Sequence, residues 1–95
     1  MDFEWDEEKN KANLAKHGIS FEEAALIFRG IAMTEIDVRQ DYGEMREISI
    51  GSLPEQVVIV VVHTERSGVT RIISARSANR AERIKYDDYC KKITQ

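Results

Sequence analysis

Apolar residues along the chain recur with two different periods, which predict helices toward both ends and strands between them. Residues 21–28 carry apolar side chains at positions i, i+3, i+4 and i+7, the spacing of one face of a helix. Ser20 and Glu23 have the spacing of a capping box at the start of this segment. Asp6 can cap an earlier helix that extends to about Lys16. The chain is therefore predicted to contain two consecutive helices before its first long strand.

Runs of apolar or alternating residues fill the middle of the chain and predict strands. The four runs are "IAMTEIDV" (31–38), "MREISIGSL" (45–53), "QVVIVVVHTER" (56–66) and "VTRIISARS" (69–77). The third run is apolar on both faces, which is typical of a central strand that is covered from both sides. A short first strand is predicted at "FEWD" (3–6), where aromatic and acidic residues alternate.

The order of these elements predicts an α+β fold in one domain, residues 1–95. Short turns between consecutive strands favour an antiparallel sheet of about four strands, with the two N-terminal helices packed on one face. A C-terminal helix begins after Asn79, which has capping-box spacing with Glu82. Its apolar stripe consists of Tyr86, Tyr89 and Ile93.

A two-residue turn at Ser67 and Gly68 would join the last two strands as a hairpin. Counting outward from this turn pairs Arg66 with Val69, Glu65 with Thr70, Thr64 with Arg71, His63 with Ile72, Val61 with Ser74, and Ile59 with Arg76. Because side chains alternate between faces, a register error of one residue would exchange the two faces.

This register predicts which side chains share a face of the sheet. One face is expected to be the core under the N-terminal helices, with the sheet residues Val58, Val60, Val62, Ile73 and Ala75 and the helix residues Leu14, Phe21, Ala24 and Phe28. The opposite face is expected to carry the polar group His63, Glu65, Ser74 and Arg76.

Charge is distributed unevenly along a chain whose net charge is −3. Residues 1–62 hold 6 basic and 13 acidic residues, a net charge of −7, and residues 63–95 hold 8 basic and 4 acidic residues, a net charge of +4. A basic region on an acidic body suggests a local site for a polyanion such as RNA. The alternative is a charged face that is simply solvated.

Carboxylate, imidazole and guanidinium groups on one sheet face could cleave RNA without a metal. Such cleavage needs a base for the 2′-hydroxyl proton, an acid for the leaving oxygen, and cations for the charge on the phosphorus oxygens. We expect Glu65 or His63 to be the base. Arg71 and Arg76 would hold the phosphate through bidentate hydrogen bonds. A neighbouring arginine favours the neutral form of His63, which suits proton abstraction.

Other basic residues are candidates for contacts with the substrate, namely His17, Arg66, Arg80 and Arg83. His17 stands just before Gly18, where a histidine either ends a helix or contacts phosphate. A purely structural interpretation also accounts for these charges, as exposed groups at the hairpin end and as surface ion pairs of Arg76, Arg80 and Arg83 with Glu82 and Asp87. One cysteine and two distant histidines give no ligand spacing for a metal, so neither a metal nor another cofactor is expected.

Two ordered motifs resemble the BrnT family of bacterial type II toxins. They are "EWDxxKxxxNxxKHGxxFEEA" at positions 4–24 and "RIISARxAxxxER" at positions 71–83. The resemblance implies a fold related to the RelE toxins and a ribonuclease activity on messenger RNA that halts translation. The motif positions that it marks are His17, His63, Glu65, Arg66, Arg71, Arg76, Arg80 and Glu82. The segment between the motifs, residues 34–56, carries little specific signature.

The resemblance also implies a partner, a BrnA-like antitoxin with a ribbon-helix-helix DNA-binding domain that neutralises the toxin. We expect a heterotetramer of toxin and antitoxin that contacts operator DNA only through the antitoxin. No run of about 18 apolar residues is present, so a cytoplasmic protein without a membrane segment is expected. The alternative function is a non-catalytic module that uses the same arginines to bind a nucleic acid or an acidic protein.

Overall fold

The computed structural model describes residues 1–94 and contains one mixed β-sheet between two helical layers. The strands are β1 (Phe3–Glu4), β2 (Ala32–Ile36), β3 (Glu47–Ser52), β4 (Val58–Arg66) and β5 (Val69–Ser77), in the order β1-β5-β4-β3-β2. The helices are α1 (Glu7–His17), α2 (Phe21–Ala24) with a 3₁₀ continuation (Ala25–Arg29), and α3 (Arg80–Ile93). The predicted α+β fold is confirmed. The sheet has five strands rather than about four, because β1 pairs in parallel with β5.

The helix starts that were predicted from capping residues are confirmed. The Asp6 carboxylate accepts hydrogen bonds from the backbone amides of Glu8 and Lys9, at 2.9 and 3.2 Å. Capping boxes open α2 and α3, and the box of α3 is formed by Asn79 and Glu82. These side chains satisfy amides that the start of a helix leaves without partners. They therefore fix where each helix begins relative to the sheet.

The second helix differs from the continuous amphipathic helix that the sequence predicted. Regular α-helix ends at Ala24, and residues 25–29 form a 3₁₀ helix. Within it, Ile27 lies directly against Gly51 of β3, so that a Cβ atom at Gly51 would stand 2.6 Å from the Ile27 Cβ. The segment thus packs on the sheet backbone at a position where only glycine leaves room.

The predicted hairpin of β4 and β5 is present, with its turn at Ser67 and Gly68. The φ angles of these two residues are 53° and 81°, and two positive values in a two-residue turn are those of a type I′ turn. The four residue pairs next to the turn, from Arg66–Val69 to His63–Ile72, are those predicted.

Beyond His63 the register of the hairpin shifts by one residue, and Ile73 is the extra residue in β5. The observed pairs are Val62 with Ser74, Val61 with Ala75, Val60 with Arg76, and Ile59 with Ser77. The predicted pairs of Val61 with Ser74 and of Ile59 with Arg76 are therefore wrong. Because a shift of one residue exchanges the faces of a strand, Arg76 projects from the face opposite to the one predicted.

The N-terminal helices cover a different sheet face from the one predicted. The buried core on this side joins Ile19, Phe21, Ala24, Ile27 and Leu53 to the sheet residues Ile59, Val61, Ile72 and Ala75. The residues predicted for this core, Val58, Val60 and Val62, alternate with these and project from the other face. Leu14, also predicted to be in the core, is 49% exposed.

Asn13 of α1 fastens this helical layer to β5. Its side chain amide donates to the Ala75 carbonyl at 2.8 Å and to the Ile19 carbonyl at 2.9 Å, and its oxygen accepts from the Ala75 amide at 3.2 Å. The strand β1 pairs with β5 only as far as Arg71. Asn13 therefore hydrogen-bonds to the backbone of β5 at Ala75, beyond the part of the strand that pairs with β1.

The helix α3 covers part of the opposite face, so the central strand is covered from both sides as predicted. The second core cluster contains Met33, Ile50, Val60 and Ala78, with Tyr86 and Tyr89 packed against it. The Tyr86 hydroxyl donates to the Ile31 carbonyl at 2.8 Å. Since α3 follows β5 and reaches the residue before β2, it crosses one end of the sheet and leaves the hairpin end open. No helix within residues 1–94 is long and apolar enough to cross a membrane.

Candidate functional site

Arginine side chains gather on the part of the sheet that α3 leaves open. Residues paired directly across an antiparallel ladder project on the same side. Arg76 is paired with Val60 and Arg71 with Thr64, so both arginines project from the face that carries α3. Two further arginines, Arg39 and Arg46, belong to residues 37–46 between β2 and β3. We call the surface formed by Arg39, Arg46, Arg71 and Arg76 the arginine face.

Arg76 is held at the start of α3 by a bidentate pair with Glu82. Its Nη1 and Nη2 atoms donate to Glu82 Oε1 and Oε2, both at 2.8 Å. Glu82 Oε1 also accepts the backbone amide of Asn79 at 2.9 Å, as part of the capping box. The hydrogen bonds from Arg76 lower the pKa of the Glu82 carboxyl. This ion pair is the one that the structural interpretation of the sequence expected.

Arg71 is held by the first strand of the chain. Because β1 runs parallel to β5 and places Glu4 beside Arg71, the two side chains meet on one face. Arg71 Nη1 donates to Glu4 Oε2 at 2.6 Å, and the Arg71 side chain is 25% exposed. The short first strand therefore positions one of the two arginines that the sequence assigned to phosphate binding.

Arg39 and Tyr42 are arranged around a buried carboxylate, Asp37. Arg39 Nε and Nη2 donate to Asp37 Oδ1 and Oδ2, both at 2.8 Å, and the Tyr42 hydroxyl donates to Oδ2 at 3.1 Å. The hydrogen bonds from Arg39 hold the pKa of the Asp37 carboxyl well below its usual range, although burial opposes this shift. The carboxylate stays ionised and fixes both side chains. The hydrogen bonds with Glu82 raise the pKa of Arg76, and the charge of Arg39 opposes this shift.

Arg46 completes the arginine face from β3. Glu47 pairs with His63 on the helix-covered side, so the preceding residue, Arg46, projects toward the arginine face. The Arg46 Cζ atom lies 4.0 Å from the centroid of the Tyr42 ring, a cation–π contact that fixes the plane of the guanidinium. Within residues 1–94, the Arg46 Nε atom is buried without a hydrogen-bond partner.

The floor between these arginines is apolar with a few hydroxyl groups. Ile48 and Val62 pair with each other on this face and are half-buried, although both lie on interior strands. Ser74 is also half-buried. The Thr64 hydroxyl donates to the Met45 carbonyl at 2.6 Å and ties residues 37–46 to β4. An apolar floor bordered by guanidinium groups is a surface on which a phosphate chain and its bases can lie.

His63 lies on the other side of the sheet, beneath the N-terminal helices. The imidazole is 5% exposed, its Nε2 atom is 2.7 Å from the Ser49 hydroxyl, and its ring meets the Phe28 ring edge-on at 5.1 Å between centroids. Burial lowers the pKa of His63, and the charge of Glu47 opposes the shift. A lowered pKa favours the neutral imidazole, which is the direction that the sequence predicted. The cause is burial rather than a neighbouring arginine.

Glu65 also projects away from the arginine face. It pairs with Thr70, which pairs in turn with Phe3 of the helix-side core. Glu65 is exposed and lines a cavity of about 290 Å³ with Glu44 and Glu47. The prediction that Glu65, His63 and Arg76 share one face is therefore wrong. The physical reason is the extra residue at Ile73, which moves Arg76 to the opposite side.

The predicted substrate-binding residues occupy three separate places. His17 is exposed at the end of α1, on the helix-covered side of the sheet. Arg66 lies at the hairpin and binds Glu44, with its Nη2 atom 3.1 Å from Glu44 Oε2. Arg80 and Arg83 line a cavity of about 430 Å³ between α3 and the β3–β4 turn. The structure thus places Arg71 and Arg76 on one face, and it separates Glu65, His63 and His17 from that face.

Sequence reasoning missed the contribution of residues 37–46 to this surface. The segment matches no motif, and its signal is limited to two arginines and one tyrosine around a turn. Arg39, Tyr42 and Arg46 reach the arginine face only because β2 and β3 pair beside β4. That arrangement depends on the three-dimensional order of the strands.

The fold and the arginine face define a small α+β protein with a surface suited to a phosphate chain. The comparison with protein families makes the assignment specific. A family model described as "Ribonuclease toxin, BrnT, of type II toxin-antitoxin system" matches residues 5–82. The chain belongs to this family, and a toxin of a type II system has an antitoxin partner.

A solved structure has the same fold. The 1.1 Å crystal structure of the Brucella abortus ribonuclease toxin BrnT is similar with a TM-score of 0.68 and 29% sequence identity, covering 84% of this chain and 99% of that one. A comparison with curated protein sequences gives no match.

Proposed function

We propose that this toxin is a metal-independent endoribonuclease that binds the scissile phosphate of messenger RNA on the arginine face. One observation carries the proposal, the projection of Arg71 and Arg76 from the same open sheet face. Arginine presents a planar set of donors that matches two oxygens of a phosphate, and it does so without a metal ion. The assignment of the chain to a family of ribonuclease toxins supports the same substrate class.

The proposed reaction is an attack by the ribose on its own phosphate. The 2′-oxygen forms a bond to phosphorus, the bond to the 5′-oxygen breaks, and the products are a 2′,3′-cyclic phosphate and a 5′-hydroxyl. Negative charge that develops on the two non-bridging oxygens is stabilised by the guanidinium group of Arg76, and Arg71, on the same face, binds a neighbouring phosphate of the strand. A proton must leave the 2′-hydroxyl and another must reach the 5′-oxygen.

Glu82 is the carboxylate that we propose as the proton acceptor. It already binds Arg76 through both oxygens, at 2.8 Å each. A phosphate that takes its place on Arg76 removes the hydrogen bonds that lower the Glu82 pKa, so the freed carboxylate becomes a stronger base next to the substrate. The alternative base on the other face, Glu65 or His63, stays a prediction. Neither shares a face with Arg76.

The proposed biological role follows from the family. Cleavage of messenger RNA would inhibit translation in the cytoplasm, and a BrnA-like ribbon-helix-helix antitoxin would neutralise the toxin in a heterotetramer. Operator DNA would be bound through the antitoxin. The type II assignment supports a protein antitoxin as the partner.

The test is incubation of the purified protein with a defined single-stranded RNA in EDTA, with and without ribosomes, followed by analysis of the product ends. We expect a 2′,3′-cyclic phosphate. Arg76→Ala should lower the cleavage rate by roughly a hundredfold or more, since loss of one preorganised donor to a developing oxyanion has this effect. Arg29→Ala is the matched control, because Arg29 is an exposed arginine at the end of the 3₁₀ helix on the other side of the sheet.

Two results would contradict the proposal. Equal rates for Arg76→Ala and wild type would remove the arginine face from the reaction. Absence of cleavage with and without ribosomes would favour the alternative function, a non-catalytic binding module. The observation that favours this alternative is that Arg71 and Arg76 are already occupied by internal carboxylates.

A further inference from the structure

A second basic site lies beside α3, at the end of the sheet remote from the hairpin. The cavity of about 430 Å³ between α3 and the β3–β4 turn has a volume in the range of small-ligand sites. Residues from both elements line it, including Gln56, Val58, Arg80, Arg83, Ile84 and Asp87. The carboxylate of Asp87 is its acidic group, and the two arginines are its basic groups.

Within residues 1–94, the arginines of this cavity have no ion-pair partner, unlike Arg39, Arg71 and Arg76 of the arginine face. Four other arginines each have a carboxylate oxygen at 3.1 Å or less, namely Arg39, Arg66, Arg71 and Arg76. Within residues 1–94, Arg80 and Arg83 form no salt bridge, and both are exposed. An anion can therefore bind them without first displacing an internal carboxylate.

The cavity combines these cations with apolar and polar groups. Val58 is half-buried there, and Ile84 is 52% exposed, which leaves apolar surface for a flat ring. The side chains of Gln56 and Asp87 offer hydrogen-bond donors and acceptors. A single-stranded nucleotide presents the matching features, a phosphate, two apolar base faces and a polar base edge.

The path of the chain connects this cavity with the arginine face. Arg76 stands near the end of β5 and Arg80 at the start of α3, and the link between them is residues 77–79. An RNA strand whose scissile phosphate lies on Arg76 reaches the cavity by continuing around the start of α3.

We infer that this cavity is a second nucleotide-binding site, which takes a nucleotide of the same RNA strand close to the cut. Its phosphate binds Arg80 and Arg83, and its base packs against Val58 and Ile84. The inference rests on the proposed function for its substrate, a single-stranded RNA. This site would influence where the strand is cut, and it is separate from the residues that carry out the cut.

The first test compares long and minimal substrates. The double variant Arg80→Gln, Arg83→Gln should lose at least about tenfold in kcat/KM on a single-stranded oligonucleotide, since hydrogen bonds to charged groups contribute that much. It should cleave a dinucleotide, which spans only the cut, at the wild-type rate. The charge-matched control Lys9→Gln, Lys92→Gln removes two exposed cations that do not line the cavity, and should behave as wild type on both substrates.

The comparison gives two results that would overturn the site. Unchanged kcat/KM on the oligonucleotide would mean that no nucleotide binds there. An equal loss on the dinucleotide and the oligonucleotide would assign the two arginines to the cut itself or to the fold.

The second test addresses base recognition. The isosteric change Asp87→Asn converts an acceptor at the cavity into a group that also donates, so we expect the base preference to change at one position next to the cut. Asp88→Asn is the control, because Asp88 is an exposed neighbour that does not line the cavity. Identical cleavage patterns for both variants and the wild type would remove Asp87 from the site.

Binding separates a failure of this inference from a failure of the proposed function. A labelled oligonucleotide with 2′-O-methyl groups cannot be cut, and its affinity can be measured by fluorescence anisotropy. If the wild type cleaves no RNA, the ribonuclease proposal fails, and weaker binding by the double arginine variant than by the double lysine variant would still support the site. Equal binding by the two double variants would overturn the site whatever the wild type cleaves.

Discussion

At the scale of single residues, three of the four arginines of the arginine face form ion pairs with carboxylates, which a phosphate group could replace. The pair of Arg76 and Glu82 has two hydrogen bonds of 2.8 Å in the geometry that an arginine also makes with phosphate. The Arg76 side chain is 43% exposed and that of Glu82 is 23% exposed, so the pair itself contributes little to stability. Its main effect is to hold the guanidinium in place.

Glu82→Gln tests the role of the carboxylate at this scale. Glutamine keeps the shape of the side chain and can still close a capping box, so we expect a stability change below about 1 kcal/mol. A glutamine cannot accept the 2′-hydroxyl proton, and cleavage should fall roughly a hundredfold or more. Single-turnover cleavage and urea-induced unfolding measure the two quantities.

Glu65→Gln is the matched control for this change, because Glu65 is an exposed glutamate that projects from the other face. It should cleave RNA at the wild-type rate. Loss of cleavage in Glu65→Gln with full activity in Glu82→Gln would indicate that the base is Glu65, one of the two residues that the sequence suggested.

His63 predicts a pH dependence of stability. Burial lowers the His63 pKa in the folded chain below its ordinary value near 6.5. As pH falls through the unfolded value, the unfolded chain binds a proton that the folded chain does not, so the free energy of unfolding decreases. The limiting slope is about 1.4 kcal/mol per pH unit for one proton. Urea-induced unfolding of the wild type between about pH 7.5 and pH 6 measures the onset of this slope, at pH values where ordinary carboxylates stay ionised.

Two variants isolate the contribution of this residue. His63→Gln should flatten the pH dependence, because glutamine can bind the Ser49 hydroxyl and does not titrate. His17→Gln should leave it unchanged, since His17 is exposed at the end of α1. An equal slope in wild type and His63→Gln would assign the effect to another group.

At the scale of elements, the close contact between the 3₁₀ helix and β3 sets the distance of the N-terminal layer from the sheet. A Cβ atom at Gly51 would lie 2.6 Å from the Ile27 Cβ. Gly51→Ala is therefore expected to reduce the free energy of unfolding by about 1–3 kcal/mol, the usual effect of overpacking. Urea-induced unfolding followed by Trp5 fluorescence measures this change.

Gly30→Ala controls for the loss of a glycine. A Cβ atom there has no neighbour within 4 Å, and the φ angle is −117°, which other residues also adopt. Its effect should stay within about 0.5 kcal/mol. Equal stabilities of the two variants would show that the helical layer moves to accept the methyl group.

The elements also show how far the sequence alone can lead. Capping residues such as Asp6 and the turn at Ser67 and Gly68 act through contacts a few positions apart, so their spacing predicts them. The shift at Ile73 is different, because "TRIISAR" fits a regular strand as well as one with an extra residue. Packing against β4 and α1 favours the strand with the extra residue. As a result, Ala75 and Arg76 each project from the face opposite to the one predicted.

At the scale of the whole molecule, a chain with a net charge of −3 is proposed to bind a polyanion. Binding then depends on the local charge of the arginine face rather than on the total, and it should be weakened steeply by salt. If the four arginines of the arginine face each neutralise one phosphate, they contribute roughly −3 to the slope of log K against log salt for a single strand. Fluorescence anisotropy with an uncleavable RNA measures it.

A variant with Arg71→Ala and Arg76→Ala should lower the magnitude of this slope by about 1.4, because two phosphate contacts are lost. The same slope in this variant as in the wild type would mean that the RNA binds elsewhere on the molecule.

The composition of the proposed site explains why only part of it could be predicted. Arg71 and Arg76 belong to one motif on one strand, and the sequence predicted both to bind phosphate. Arg39 and Arg46 lie between β2 and β3, about 30 positions earlier in the chain, and no local sequence pattern links them to Arg71 and Arg76. A family motif can predict site residues that lie close together in the sequence. The other residues of the same surface can be found only when the order of the strands in the sheet is known.

The extra residue of β5 can be removed without changing the face from which Arg76 projects. Loss of the Ile73 codon would leave a regular hairpin in which Ile72 still pairs with His63 and Arg76 still pairs with Val60. A toxin gene that lacks this codon should therefore still arrest growth in cells without the antitoxin. Loss of the arrest would show that the irregularity of the strand, and not only its pairing, is needed for toxicity.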